Sequence, residues 1–165
     1  MEFDTGQHNS SSYELQKWDA STLEQFGLPA ETLGTLTTTG LPRKKNLEPL
    51  ANSPHRLIKT DGYSYLVVAI DSGFLLAVET SMGTVVWIDD ESNELRFVNS
   101  SCKHFLDCLV LYDRMRQHGR EIDASALPTL VRETEAAMEK VDLKIFDGLE
   151  NYWSVVFERI HDELP

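Results

Sequence analysis

The spacing of apolar residues changes twice along the chain. In the middle, His55–Lys59, Tyr63–Ile70, Phe74–Glu79, Thr84–Ile88 and Glu94–Val98 are short runs rich in valine, isoleucine, leucine and aromatic residues, broken by turn formers. That is the pattern of β-strands. The separators Asp61-Gly62, Asp71-Ser72-Gly73 and Ser81-Met82-Gly83 are too short to hold a crossover helix, so successive strands are expected to be antiparallel neighbours. A four- to five-stranded meander follows, and its longest turn, Asp89–Asn93, opens with three consecutive acids.

Helical spacing flanks this centre. Residues 1–12 are polar and serine-rich without a period and read as a loose tail, with order expected from Tyr13. Ser21-Thr22-Leu23-Glu24 has the spacing of a capping box. Gly27-Leu28-Pro29 ends that short helix and opens a second over Ala30–Thr37, which Gly40-Leu41-Pro42 closes. Beyond the meander, Asn99-Ser100-Ser101 offers capping side chains to a helix in which Cys102, Phe105, Leu106, Leu109 and Tyr112 recur until Gly119. Leu127, Leu130, Val131, Met138 and Val141 mark another helix. Asp147-Gly148-Leu149-Glu150, an aspartate-led capping box, is expected to start a last one with the apolar stripe Leu149, Tyr152, Trp153, Val156, Phe157 and Ile160. A stripe this broad needs an apolar partner, and the natural one is a face of the meander. The expected fold is therefore α+β, with N- and C-terminal helices packed on the sheet in one domain over residues 13–165.

Charge narrows the list of partners. The 165 residues include 27 acidic and 15 basic side chains, a net charge of −12. The excess is spread out, at −2 over residues 1–45, −4 over 46–118 and −6 over 119–165. A nucleic-acid binder displaces counterions with clustered lysines and arginines, and the one tight basic cluster here is Arg43-Lys44-Lys45. Direct binding of nucleic acid is not expected. Diffuse acid serves solubility, and it also steers a protein toward a basic partner. No apolar run approaches the roughly 20 residues of a membrane helix, and the N-terminus lacks the cationic start and apolar stretch of a secretory signal. The expected location is the cytoplasm, with no membrane partner.

Candidate chemistry is sparse. Asp4-Thr5-Gly6 is the triplet with which aspartic proteases hold a catalytic carboxylate, but that mechanism needs a buried site and a second aspartate, and this triplet lies in a polar tail. His8, His55, His104, His118 and His161 have no zinc-ligand spacing with one another or with the cysteines, so no metal and no cofactor are expected. Cys102 and Cys108 lie about 240° apart around a helix, too divergent to bridge locally. Cys102 with His104 as base would point two helical residues about 200° apart. No catalytic residue is assigned. The remaining candidate is a surface: Asp89, Asp90, Glu91 and Glu94, bracketed by Trp87 and Phe97, are clustered carboxylates whose mutual repulsion a cationic partner would relieve. They lack the alternating ligands and central glycine of a calcium loop. An apolar pocket beside Tyr152 and Trp153, taking a small molecule, is the other reading.

Several segments, in order, resemble the SUKH superfamily, and its fourth subfamily in particular. These are Gly40-Leu41-Pro42 after a helical stretch, Thr80-Ser81-Met82-Gly83-Thr84-Val85-Val86-Trp87, Arg96-Phe97-Val98-Asn99-Ser100-Ser101 before a helix with Phe105, Leu106 and Tyr112, and Asn151-Tyr152-Trp153-Ser154 followed by Glu158. The likeness spans roughly residues 20–162. It implies an α+β immunity protein: a non-catalytic cytoplasmic inhibitor made beside a polymorphic bacterial toxin, often a nuclease or nucleic-acid deaminase with a basic cleft. An acidic inhibitor suits such a cleft as a polyanion mimic. The quoted motifs read as scaffold, with Gly83 in a tight turn, Asn99 and Ser100 as helix caps and Trp153 on a core stripe. The toxin contact is therefore expected beyond them, at Asp89, Asp90, Glu91 and Glu94, with Trp87 at the edge of the second motif.

Overall fold

The computed structural model describes residues 14–164. The expected tail 1–12, Tyr13 and the Asp4-Thr5-Gly6 triplet lie outside them. Strands β1 (Leu15–Gln16) and β2 (Leu41–Pro42) pair antiparallel around a helical segment. There α1 (Ala20–Leu23) runs into a 3-10 turn, and α2 (Ala30–Gly34) into a wider π turn over Thr35–Thr39. The first cap is not the expected box. Asp19 precedes the helix, and its carboxylate accepts from the Ser21 amide at 2.8 Å and the Ser21 hydroxyl at 2.6 Å. A carboxylate is the stronger acceptor and occupies the hydroxyl that the box required. Pro29 likewise stands at the cap of α2, one residue before its first turn. The second helix loosens before Thr37, whose hydroxyl turns back to the Leu33 carbonyl at 2.8 Å.

The sheet holds β3 (Leu47–Pro49), β4 (Leu57–Thr60), β5 (Tyr63–Asp71), β6 (Phe74–Glu79), β7 (Val85–Ile88) and β8 (Leu95–Asn99), antiparallel throughout. Strands β4 to β8 are the expected meander. Strand β3, which no period announces, lies beside the end of β5 with Leu47 opposite Asp71, while β4 lies beside its start with Thr60 opposite Tyr63. In β5 and β6, Tyr65–Ala69 and Leu75–Glu79 are buried without a break. Unbroken burial of this kind belongs to strands covered on both faces. Leu66, Val68, Leu76, Val78, Val85 and Val98 join the main core; Tyr65, Val67, Leu75, Ala77, Val86 and Ile88 form a second cluster.

Three helices complete the main core: α3 (Cys102–His118), α4 (Leu127–Val141) and α5 (Tyr152–Asp162). They contribute Phe105, Cys108 and Leu109, then Val131 and Met138, then Trp153 and Phe157. No helix among the described residues is long and apolar enough to cross a membrane. Ser101 caps α3, its hydroxyl accepting from the His104 amide at 3.2 Å. The Asp147–Glu150 box does not form. Burial of Ile145 and half-burial of Phe146 hold the preceding chain in turns, Asn151 becomes the cap residue, and Leu149 is left exposed rather than on the stripe.

Candidate functional site

The turn between β7 and β8 gathers Trp87, Asp89, Asp90, Glu91 and Glu94 at one end of the sheet. Asp89 closes it. Its carboxylate accepts from the amides of Glu91 at 2.9 Å and Ser92 at 3.4 Å, and these bonds hold the carboxyl below the usual range. Asp90 takes two bonds from the Arg56 guanidinium, one at 2.9 Å, with the same effect on its carboxyl. Glu94 accepts from Arg96 at 3.2 Å. Arg96 also lies 3.6 Å from Glu150 and 5.5 Å from the Trp87 ring centroid, and Trp87 stacks on Phe74 at 3.8 Å. Arg56 and Arg96 thus pair with Asp90 and Glu94 of the turn, and Arg96 also with Glu150. The repulsion expected from the sequence is eased at Asp90 and Glu94 but an acidic excess remains, and what stands out is an ordered turn with Asp90, Glu91 and Glu94 exposed and Trp87 half-buried behind them. Among the described residues the Glu91 side chain has no partner.

The segments that carry the family resemblance meet in the interior. The Trp153 indole N–H donates to the Asn99 side-chain oxygen at 3.0 Å, and the Asn99 amide donates to Asp142 at 3.1 Å. Asp142 also accepts from the Ser100 amide at 2.6 Å, the Ser100 hydroxyl at 2.9 Å and the Lys144 amide at 3.3 Å. Asn99 and Ser100 are therefore tertiary links rather than the helix caps expected of them. Burial pushes the Asp142 carboxyl up, but the bonds from Ser100, Asn99 and Lys144 outweigh it and hold the carboxyl below the usual range. Sequence reading passed over Asp142. One signal was present: an aspartate directly after the last turn of an amphipathic helix faces the negative end of its dipole, so it needs donors from elsewhere.

The thiols are built for packing. Burial pushes Cys102 up to about 12 and Cys108 up to about 11, so neither is a thiolate at neutral pH. Among the described residues no three His, Cys, Asp or Glu side chains converge as metal ligands. A cleft of about 480 Å³ lies between the loop before β3, the β5–β6 turn, α3 and α5. Lys44, Lys45, Arg116 and Arg120 stand around Tyr112 and Tyr152, and no histidine or cysteine lines it. The Tyr152 hydroxyl donates to Asp71 at 3.0 Å, and Lys44 pairs with Asp113. Trp153, expected beside Tyr152 in a pocket, is instead buried in the core.

Residues 5–159 match the family model described as SUKH-4 immunity protein. No curated protein and no solved structure matches the chain.

Proposed function

This chain belongs to the SUKH-4 immunity protein family, and on that premise we propose that it neutralises a cognate toxin in the cytoplasm by occluding the toxin's basic active-site cleft, without catalysis. The observation that carries the reading is the family match over nearly the whole chain. The charge of −12 supplies the mechanism. Opposite fields speed the encounter of two proteins, and closely packed side chains then slow their separation. A toxin acting on nucleic acid, such as a nuclease or deaminase, has a cleft suited to a polyanion. The contact is assigned to Asp90, Glu91 and Glu94, ordered by Asp89 and backed by Trp87. Co-expression with the toxin domain encoded beside this chain tests the reading: survival of the host and a complex stable to gel filtration are expected. The absence of both rescue and complex would refute it.

A second reading, a regulatory domain for a small anion, is favoured by one observation, the cationic cleft around Tyr112 and Tyr152. It predicts that an organic anion co-purifies with the protein and that Arg116→Glu releases it.

A further inference from the structure

The ten residues from Asp142 to Asn151 are fastened on their inner side and turn two leucines outward among the charged Lys144, Asp147 and Glu150. Ile145 is fully buried, and Phe146 meets Phe157 edge-on at 5.7 Å. Backbone amides of Ile145, Asp147 and Asn151 bond to the carbonyls of Asp142, Lys144 and Gly148 at 3.3, 3.2 and 3.1 Å. The Asn151 side-chain amide donates to the Lys144 carbonyl at 3.1 Å, and the Asp142 carboxylate holds the Lys144 amide. The loop is thus rigid, and it turns two leucines outward: Leu143 is 75% exposed and Leu149 89%. A single exposed leucine is ordinary. Here two of the three most exposed large apolar residues among the described residues share one short loop, and neither serves a cap or the core.

This loop adjoins the acidic turn. Glu150, next to Leu149, lies 3.6 Å from Arg96, which pairs with Glu94 and sits over Trp87. We propose that Leu143 and Leu149 are the apolar anchors of the toxin interface, with Glu150 and the Asp89–Glu94 turn as its acidic rim. The proposal rests on the toxin-neutralising reading and adds the part of the surface that holds the complex together. Affinity at protein interfaces concentrates in a few apolar side chains that a polar rim shields from water. A loop already ordered loses little freedom on binding. Charge selects the occupant. A second copy would bring two acidic rims face to face, which like-charge repulsion opposes, whereas a basic toxin domain is attracted.

Rim and anchors leave different kinetic traces, since rim charges set the association rate and anchors set dissociation. The experiment measures binding of the purified full chain to the catalytically inactivated toxin domain encoded beside it. In Leu143→Ser/Leu149→Ser the dissociation rate is expected to rise about tenfold or more, with association and melting temperature unchanged. Leu15→Ser is the control, because Leu15 is 49% exposed but lies on β1, in the two-stranded sheet with β2 and not in the sheet that carries the acidic turn. An unchanged dissociation rate in the double variant would overturn the proposal, as would an equal rise in Leu15→Ser. So would a wild-type dimer that the leucine changes dissolve without affecting toxin binding, because the occupant would then be a second copy. Absence of any wild-type complex would instead remove the toxin-neutralising reading on which the proposal stands.

Discussion

Four donors converge on the Asp142 carboxylate, from Ser100 twice, Asn99 and Lys144. Through Asn99 the same carboxylate is tied to the buried Trp153, so one acid joins β8 and α5 to the chain that follows α4. Its folded-state value is depressed below the roughly 3.9 of an unfolded aspartate. Its stabilisation is therefore full above about pH 4 and lost as pH falls through the lower folded value. Asp142→Asn is expected to lower stability at pH 7 by roughly 2–3 kcal/mol, the scale of charge-assisted bonds left unmade. The gap between variant and wild type should narrow as pH falls below the unfolded value and through the lower folded one, since the amide does not titrate. Urea unfolding at several pH values checks this, and a gap independent of pH would refute it. The sequence motif around Asn99 was visible, but its job was misread, because nothing local says whether an asparagine before a helix bonds along the chain or across it.

Strand and helix bounds in the meander and in α3 and α4 fall within a residue or two of the apolar runs, because continuous burial and helical spacing are local signals. The elements that escaped are those whose partners are distant. Strands β1 to β3 have two or three residues each, too few to show a period, and they form because β1 and β2 pair with each other and β3 pairs with the end of β5. Gly40 shows how closely that N-terminal unit is fitted. Its φ of +83° is near the +82° of Gly62, yet an added Cβ would meet the Gln16 carbonyl oxygen at 2.4 Å, while Gly62 has nothing within 4 Å. Gly62→Ala should cost about 1 kcal/mol from backbone strain alone, and Gly40→Ala about 3 kcal/mol or more, because a backbone oxygen of β1 cannot step aside. Thermal melts of the two variants check the order, and equal losses would contradict the fitted contact.

At the scale of the whole molecule, charge and shape divide the task of binding. The −12 is spread over the surface, and the Asp89–Glu94 turn presents part of it in fixed geometry. Asp89 shapes that turn, so the informative charge reversal spares it. Asp90→Lys/Glu91→Lys is expected to slow association with the toxin domain about tenfold at low salt, a difference that shrinks as added salt shortens the screening length toward about 3 Å at 1 M. Stopped-flow association over a salt series measures it, and a deficit that persists at high salt would place the effect in packing rather than steering. The order of residues alone disclosed the α+β plan, the antiparallel meander and the acidic turn, since each follows from period, turn chemistry or charge within a short stretch. Only folding decided that Arg56 and Arg96 would pair with two carboxylates of that turn, that Asp142 would join two motifs, and that Leu149 would leave its stripe for the surface. Those outcomes depend on which distant groups arrive within hydrogen-bond or packing distance, and a linear pattern carries no measure of that distance.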